Sequence, residues 1–201
     1  MNNPSTELIN IASYATGRGW CPATGGNFST RLAQDKVAIT ASGADKGNLT
    51  AEDILTVDLN GNVLNSTRKP SDETLLHLAM YKLDPEINAV LHVHTVANTV
   101  LSRYVKQSML SLQDYEMLKP FRGVTTHQTT IEIPILDNSQ DMTVLATQIS
   151  SQYSSLKNCY GFLVRGHGCY VWGNSIVDAK RHLETLEFLL TCELELLKLT
   201  K

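Results

Sequence analysis

His92 and His94 are the first residues in this sequence whose types and spacing point to chemistry. They lie in NAVLHVH (88–94), an alternating run that reads as a β-strand. Residues two apart on a strand share a face, so two imidazoles stand side by side within reach of one ion, while Leu91 and Val93 turn into the core. Two unrelated histidines near a strand end would share that spacing. His167 changes the weighing. It follows the apolar run GFLV in Arg-Gly-His-Gly, and its glycine neighbours permit a sharp turn and a close approach of the ring to an ion. Three protein ligands with a coordination position left open is the arrangement of catalytic zinc, whereas structural zinc fills all four positions with protein. Neutral imidazoles suit zinc, and also iron, cobalt or nickel. His77 and His182 fall in predicted helices and read as ordinary surface or packing residues; His127 falls in a loop and stays unassigned.

Three segments have the composition of anion-binding loops. TGGNFS (24–29) offers flexible backbone N–H groups and the Asn27 amide. SGADKG (42–47) adds the Ser42 hydroxyl, Gly43 and Lys46. SDE (71–73) places Ser71 at a helix start, where unpaired N–H groups and the dipole attract an anion. Each segment alone would pass for a turn. Two carboxylates are acid–base candidates: Glu73, which would equally serve as a first-turn helix residue, and Glu116 in QDYEMLKPFRG, which would equally lie on a solvated face.

These residues need elements to position them. Leu8, Ile11, Ala12 and Ala15 recur at helical spacing after Ser5, a capping residue, and Gly17 and Gly19 end that helix. KVAIT (36–40) reads as a strand, and ILTVDLNGNVL (54–64) as a hairpin turning at Asn60-Gly61. PSDETLLHLAMYK (70–82) reads as a helix capped by Ser71. VANTVLSRY (96–104) and MTVLATQISSQY (142–153) read as helices, TIEIPIL (130–136) as a strand, CYGFLVRGHGCYVW (159–172) as two strands around a Gly-His-Gly turn, and Ser175–Leu199 as the last helix. Hairpins among alternating strands and helices argue for an α/β chain of the α+β type, in which a mixed or mainly antiparallel sheet is flanked by helices.

The 201 residues fit one domain, 1–201, and a net charge of -3 offers no field for nucleic acid or an anionic membrane. Four cysteines without a CxxC pair and an N-terminus without an apolar core lead to the expectation of a cytoplasmic protein with reduced thiols.

The segments TGGNFS, ITASGADKG, KPSDE, AVLHVHT and LVRGHGCYVWG occur in an order that resembles the class II aldolase/adducin superfamily, from about residue 5 to residue 198. The resemblance implies a central, mainly antiparallel sheet between helices in a three-layer domain. It implies one zinc ion per subunit on His92, His94 and His167, and a homotetramer with active sites at subunit boundaries. SGADKGNLTAEDILTVDLNG, YEMLKPFRG and GHGCYVWG are similar to the branch that dehydrates 5-methylthioribulose 1-phosphate in methionine salvage. On that resemblance Glu116 is the acid–base group, and Asn27, Ser42, Gly43 and Ser71 hold the substrate phosphate. Lys46 or Lys119 would add positive charge, and an apolar pocket including Phe121 or Tyr115 would take the methylthio end. Some dehydratases carry a cysteine where this chain has Pro70. Glu73 matches the catalytic glutamate of the aldolases, so an aldolase or 4-epimerase acting on a ketose phosphate stays open. Those enzymes often continue into a tail with a functional tyrosine, which is not expected after Lys201. A non-catalytic, adducin-like interaction domain is the reading of another class, and the complete histidine set argues against it.

Overall fold

A computed structural model describes residues 3–156 and 159–199. Helix α1 (Pro4–Gly17) is capped by Asn3, whose side chain accepts from the Ser5 N–H at 3.0 Å. Ser5, the expected cap, is already inside the helix, because Pro4 is pre-organised for the first turn and moves the cap upstream. Leu8, Ile11, Ala12 and Ala15 form the buried face of α1.

Eight strands make one sheet: β1 (Asn27–Ala33), β2 (Lys36–Thr40), β3 (Ile54–Asp58), β4 (Ala89–Val93), β5 (Met109–Gln113), β6 (Thr130–Leu136), β7 (Gly161–Val164) and β8 (Gly168–Gly173). Their order is β3-β2-β1-β4-β8-β7-β6-β5. Among the described residues every pairing is antiparallel except that of β6 with β7. Helix α5 (Ile176–Leu199) packs on β4 and β8 together with α3 (Val96–Tyr104), and α1 packs on β1; α2 (Thr74–Leu83) packs with α4 (Met142–Leu156). The mainly antiparallel, helix-flanked sheet expected from the sequence is therefore present. No helix among the described residues is long and apolar enough to cross a membrane, and no disulfide joins the cysteines among them.

Three local expectations change. The 54–64 segment turns at Asn60-Gly61, with Gly61 at φ +89°, but its return arm contributes only the bridge Val57 to Val63. The Asp58 carboxylate accepts from the backbone N–H groups of Asn60 and Asn62 and reinforces the few backbone hydrogen bonds that close the polar turn. Helix α2 starts at Thr74 instead of near Ser71. Ser71 Oγ accepts from the Glu73 N–H at 3.3 Å and makes a turn of residues 71–73, leaving the Glu73 side chain outside the helix barrel. Strand β5 is an addition to the elements read from the sequence, since only Leu110 and Leu112 are buried, in phase, while Ser111 and Gln113 are exposed and polar.

Directly paired residues in antiparallel strands project to the same face. Asn27 pairs with His92 and His92 with Tyr170, so this row lies on one face, while Phe28, Leu91 and Val171 line the other. His77 of α2 is wholly buried on the Asn27 face. It is not a surface residue, and neither is His182, whose Nδ1–H donates to the Trp172 carbonyl at 2.8 Å.

Burial pushes the His77 imidazole down to about 3 from its ordinary 6.5. The unfolded chain thus binds a proton that the folded chain refuses between those values, and stability falls as pH drops below about 6.5. This one group contributes a slope of up to about 1.4 kcal/mol per pH unit. Urea unfolding at several pH values should give a shallower acid slope for His77→Gln than for the wild type.

Candidate metal centre

His92 lies near the end of β4, His94 lies two residues on with its N–H bonded to the Trp20 carbonyl at 3.0 Å, and His167 lies in the turn between β7 and β8. Their rings form a compact triangle. Centroids are 4.6 Å apart for His92 and His94, 5.0 Å for His92 and His167, and 4.7 Å for His94 and His167. The structure therefore brings together the three histidines expected from the sequence, and it adds Glu73. One ligand atom from each of Glu73, His92, His94 and His167 lies within 4.8 Å of all the others. Glu73 Oε1 is 2.8 Å from His167 Nε2 and 3.5 Å from His92 Nε2.

The supports of the rings are as specific as the rings themselves. His92 Nδ1 lies 2.8 Å from the Cys169 carbonyl, which can only accept, so Nδ1 carries the proton and Nε2 presents a lone pair. His94 Nε2 stands 2.7 Å from that lone pair. Thr99 Oγ1 donates to the His167 carbonyl at 3.0 Å. Thr95 and Asn98 form a reciprocal cap at the start of α3, directly after His94, and Asn98 Nδ2 is held by the buried Glu187 carboxylate at 2.9 Å. Gly25 and Gly168 are required by crowding: a Cβ on Gly25 would stand 2.9 Å from His94 Nδ1, and one on Gly168 2.5 Å from the Val93 carbonyl oxygen.

This donor set fits a divalent cation. Two ring nitrogens face one another with an ionised carboxylate beside them, and the buried His167 Nδ1 has no partner among the described residues. Burial, reinforced by the neighbouring His92 and His167, pushes His94 down to about 3, so its ring stays neutral and available as a ligand. Burial alone would raise the Glu73 carboxyl. The hydrogen bond from His167, first among the opposing influences, outweighs it and holds Glu73 far below the usual carboxylate range.

The cluster opens onto a cavity of about 480 Å³, lined by His94, His167, Glu73, Ser42 and Ser71. Glu73 is a fourth protein donor, yet the cavity keeps the centre accessible, unlike a sealed structural site. Asn27 donates through Nδ2 to Glu73 Oε2 at 2.5 Å and to Ser71 Oγ at 3.5 Å. Gly43 has φ +69° and open space where a side chain would be. Lys46 is buried beneath the two loops and donates to the carbonyls of Thr24 and Ala44, at 3.1 and 2.7 Å, rather than facing the cavity.

Other expected residues are not brought together within the chain. Glu116 lies in a single turn, Glu116–Leu118, with its side chain 70% exposed, and pairs with Lys119 at 2.5 Å and His127 at 3.6 Å. Neither Glu116 nor Lys119 lines the cavity. Phe121 does not form an apolar substrate pocket, because it is buried and stacked on Tyr160 at 4.4 Å; Tyr115 donates to Glu193 at 2.8 Å. The cavity wall is completed instead by Asn138, Gln140 and Met142, which in the sequence look like nothing more than a polar loop and a helix start.

A mainly antiparallel sheet carrying a His- and Glu-rich centre that opens onto a polar cavity defines the scaffold of a metal-dependent enzyme. The chain matches the Class II Aldolase and Adducin N-terminal domain family over residues 6–194 and belongs to that family. The methylthioribulose-1-phosphate dehydratase of Xylella fastidiosa (strain M12) is 50% identical over 193 residues, covering 96% of this chain and 88% of the relative. The protein of the same name from Pseudomonas aeruginosa (strain LESB58) is 47% identical over 195 residues, covering 97% and 95%. Among solved structures, L-fuculose-1-phosphate aldolase from Thermus thermophilus superposes with a TM-score of 0.76 at 26% identity, covering 94% of this chain and 92% of that one. Another L-fuculose 1-phosphate aldolase, at 22% identity and a TM-score of 0.82, covers 100% and 89% and shares the fold.

Replacing His94 or His167 with Ala should remove stoichiometric divalent metal from the purified protein, as read by elemental analysis. Glu116→Gln should leave the metal content unchanged.

Proposed function

We propose that this protein is a zinc-dependent hydro-lyase that converts 5-methylthioribulose 1-phosphate to 2,3-diketo-5-methylthiopentyl 1-phosphate in methionine salvage, working in the cytoplasm as a homotetramer. The observation that carries this reading is a three-imidazole, one-carboxylate cluster opening onto a serine-walled cavity, in a chain 50% identical to a dehydratase of that substrate. Zinc is supported by the nitrogen-rich donor set and by its accessible side. Once bound, the cation supplies Lewis acidity to the ketose carbonyl and stabilises the negative charge that develops there.

The chain's own groups perform the remaining tasks. The Ser42 and Ser71 hydroxyls, the Gly43 backbone and the Asn27 NH2 group bind the phosphate, whose oxygens only accept. Lys46 contributes positive charge from behind the loops while pinning them. Glu73, ionised, orients the His167 ring and the Asn27 amide. The Glu116 carboxylate, reaching the cavity from a neighbouring subunit with Lys119 alongside, removes the proton on carbon 3. That proton leaves with the carbon 4 hydroxyl as water, and the resulting enol takes a proton at carbon 4 as it becomes the second ketone.

The position of Glu73 against the imidazoles favours a second reading, a ketose-phosphate aldolase with Glu73 as its base. Activity separates the two. Under the dehydratase reading, Glu116→Gln lowers dehydration by about 10²–10⁴. Mixing Glu116→Gln subunits with His94→Ala subunits restores part of the activity, because some assembled sites then receive intact groups from both chains. Near-normal turnover by Glu116→Gln, or efficient cleavage of fuculose 1-phosphate by the wild type, would overturn the reading.

A further inference from the structure

The proposed phosphate and Glu73 contacts require Asn27 to present its NH2 group, and an amide has two ends of nearly equal size. What holds it that way round lies outside the cavity. Asn27 Oδ1 is 2.5 Å from His77 Nε2. On the far side of the ring, His77 Nδ1 is 2.7 Å from Ser29 Oγ, and Ser29 Oγ is 2.8 Å from Tyr81 OH. All four side chains are buried.

One proton arrangement satisfies this chain best. The ionised Glu73 carboxylate can only accept, so Asn27 must turn its NH2 to it and its Oδ1 to His77. His77 Nε2 must then carry the proton, and Nδ1 must accept. Ser29 supplies that proton from its hydroxyl, since its other acceptor, the Val90 carbonyl, stands farther off at 3.5 Å. Ser29 in turn accepts from Tyr81, whose hydroxyl has no other side-chain acceptor among the described residues. With the opposite tautomer, the bare Nε2 would face the Asn27 carbonyl, or a flipped amide would turn that carbonyl to the Glu73 carboxylate. Either is an uncompensated buried clash of acceptors. Tyr170 packs edge-on against the His77 ring, with centroids 5.7 Å apart. Burial keeps His77 neutral, as the arrangement needs.

We propose that His77 is a positioning residue: its Nε2–H, set by Ser29 and Tyr81, locks the Asn27 amide with the donor end toward Ser71 and Glu73. The consequence for substrate phosphate rests on the function proposed above; the tautomer itself does not.

Two measurements test this, one without turnover. In 15N-labelled wild type at neutral pH, long-range 1H–15N NMR should show His77 as the Nε2–H tautomer, assigned by its loss in His77→Gln. An Nδ1–H tautomer overturns the proposal whatever the enzyme's substrate. In the zinc-loaded protein, His77→Leu should weaken binding of inorganic phosphate, read by calorimetry, and raise KM for the phosphorylated ketose by about ten- to a hundredfold, the worth of one hydrogen bond to a charged group. Zinc content should be unchanged. His77→Gln, whose side-chain NH2 can occupy the place of Nε2–H, should recover much of that loss. Equal behaviour of the Leu and Gln variants, or a fall in zinc content accounting for both, overturns the proposal. Lack of turnover by the wild type on this ketose, with the NMR and phosphate results intact, would count against the substrate assignment alone.

Discussion

Strand register puts Asn27, His92 and Tyr170 in one row across β1, β4 and β8. The site depends on that row. His92 is in the middle, wholly buried, with its ring stacked on Tyr170 at 4.0 Å and its Nδ1–H tied to the carbonyl of the adjacent Cys169. A slip of one residue in either pairing would turn His92 to the face occupied by Leu91 and bring an apolar side chain to the cavity. The register is in turn secured by the opposite face, where Phe28, Leu91 and Val171 are fully buried. Apolar packing on one side of the sheet thereby fixes polar geometry on the other.

Three chain segments crowd around this row, and each has a distinct device for doing so. The 22–26 loop bends through left-handed conformations at Ala23 and Thr24, φ 51° and 63°, which are costly for residues with a Cβ. Lys46 offsets that strain by donating to the Thr24 carbonyl from below while holding its own loop through Ala44. Gly168 lets β8 start against the Val93 carbonyl, and the Ser71 turn delays α2 so that Glu73 can reach the imidazoles. Neither Lys46 nor Gly168 lines the cavity, yet together with the Ser71 turn they set where its walls stand.

The two glutamates illustrate how environment assigns roles to chemically identical groups. Glu73 accepts from His167 and Asn27, so it is kept ionised and oriented. Glu116 is exposed, and its hydrogen bond from Lys119 lowers it only by a surface interaction. On the proposed reading the second glutamate becomes useful when a neighbouring subunit's cavity removes it from water, which makes assembly part of catalysis.

Much of this is readable from the residues. Alternation and helical periodicity are local properties, so β4, α3, β6 and the β7–β8 hairpin lie where NAVLHVH, VANTVLSRY, TIEIPIL and GFLVRGHGCYVW place them. The strand period aligns His92 with His94, and the glycines flanking His167 mark a turn that an ion can approach. The placement of Ser42 and Ser71 is signalled only by composition, and the importance of Glu73 chiefly by family resemblance. Packing between distant segments decides the rest. The Asn3 cap, the late start of α2, the cavity wall at Asn138, Gln140 and Met142, and the inward burial of Lys46 have no local signature. Nor does His77, one histidine in an amphipathic helix until β1 supplies Ser29 and Asn27 on either side of its ring. Side-chain type and period are written along the chain, whereas the partner of a buried polar atom is chosen only when strands far apart in sequence close over it and exclude water.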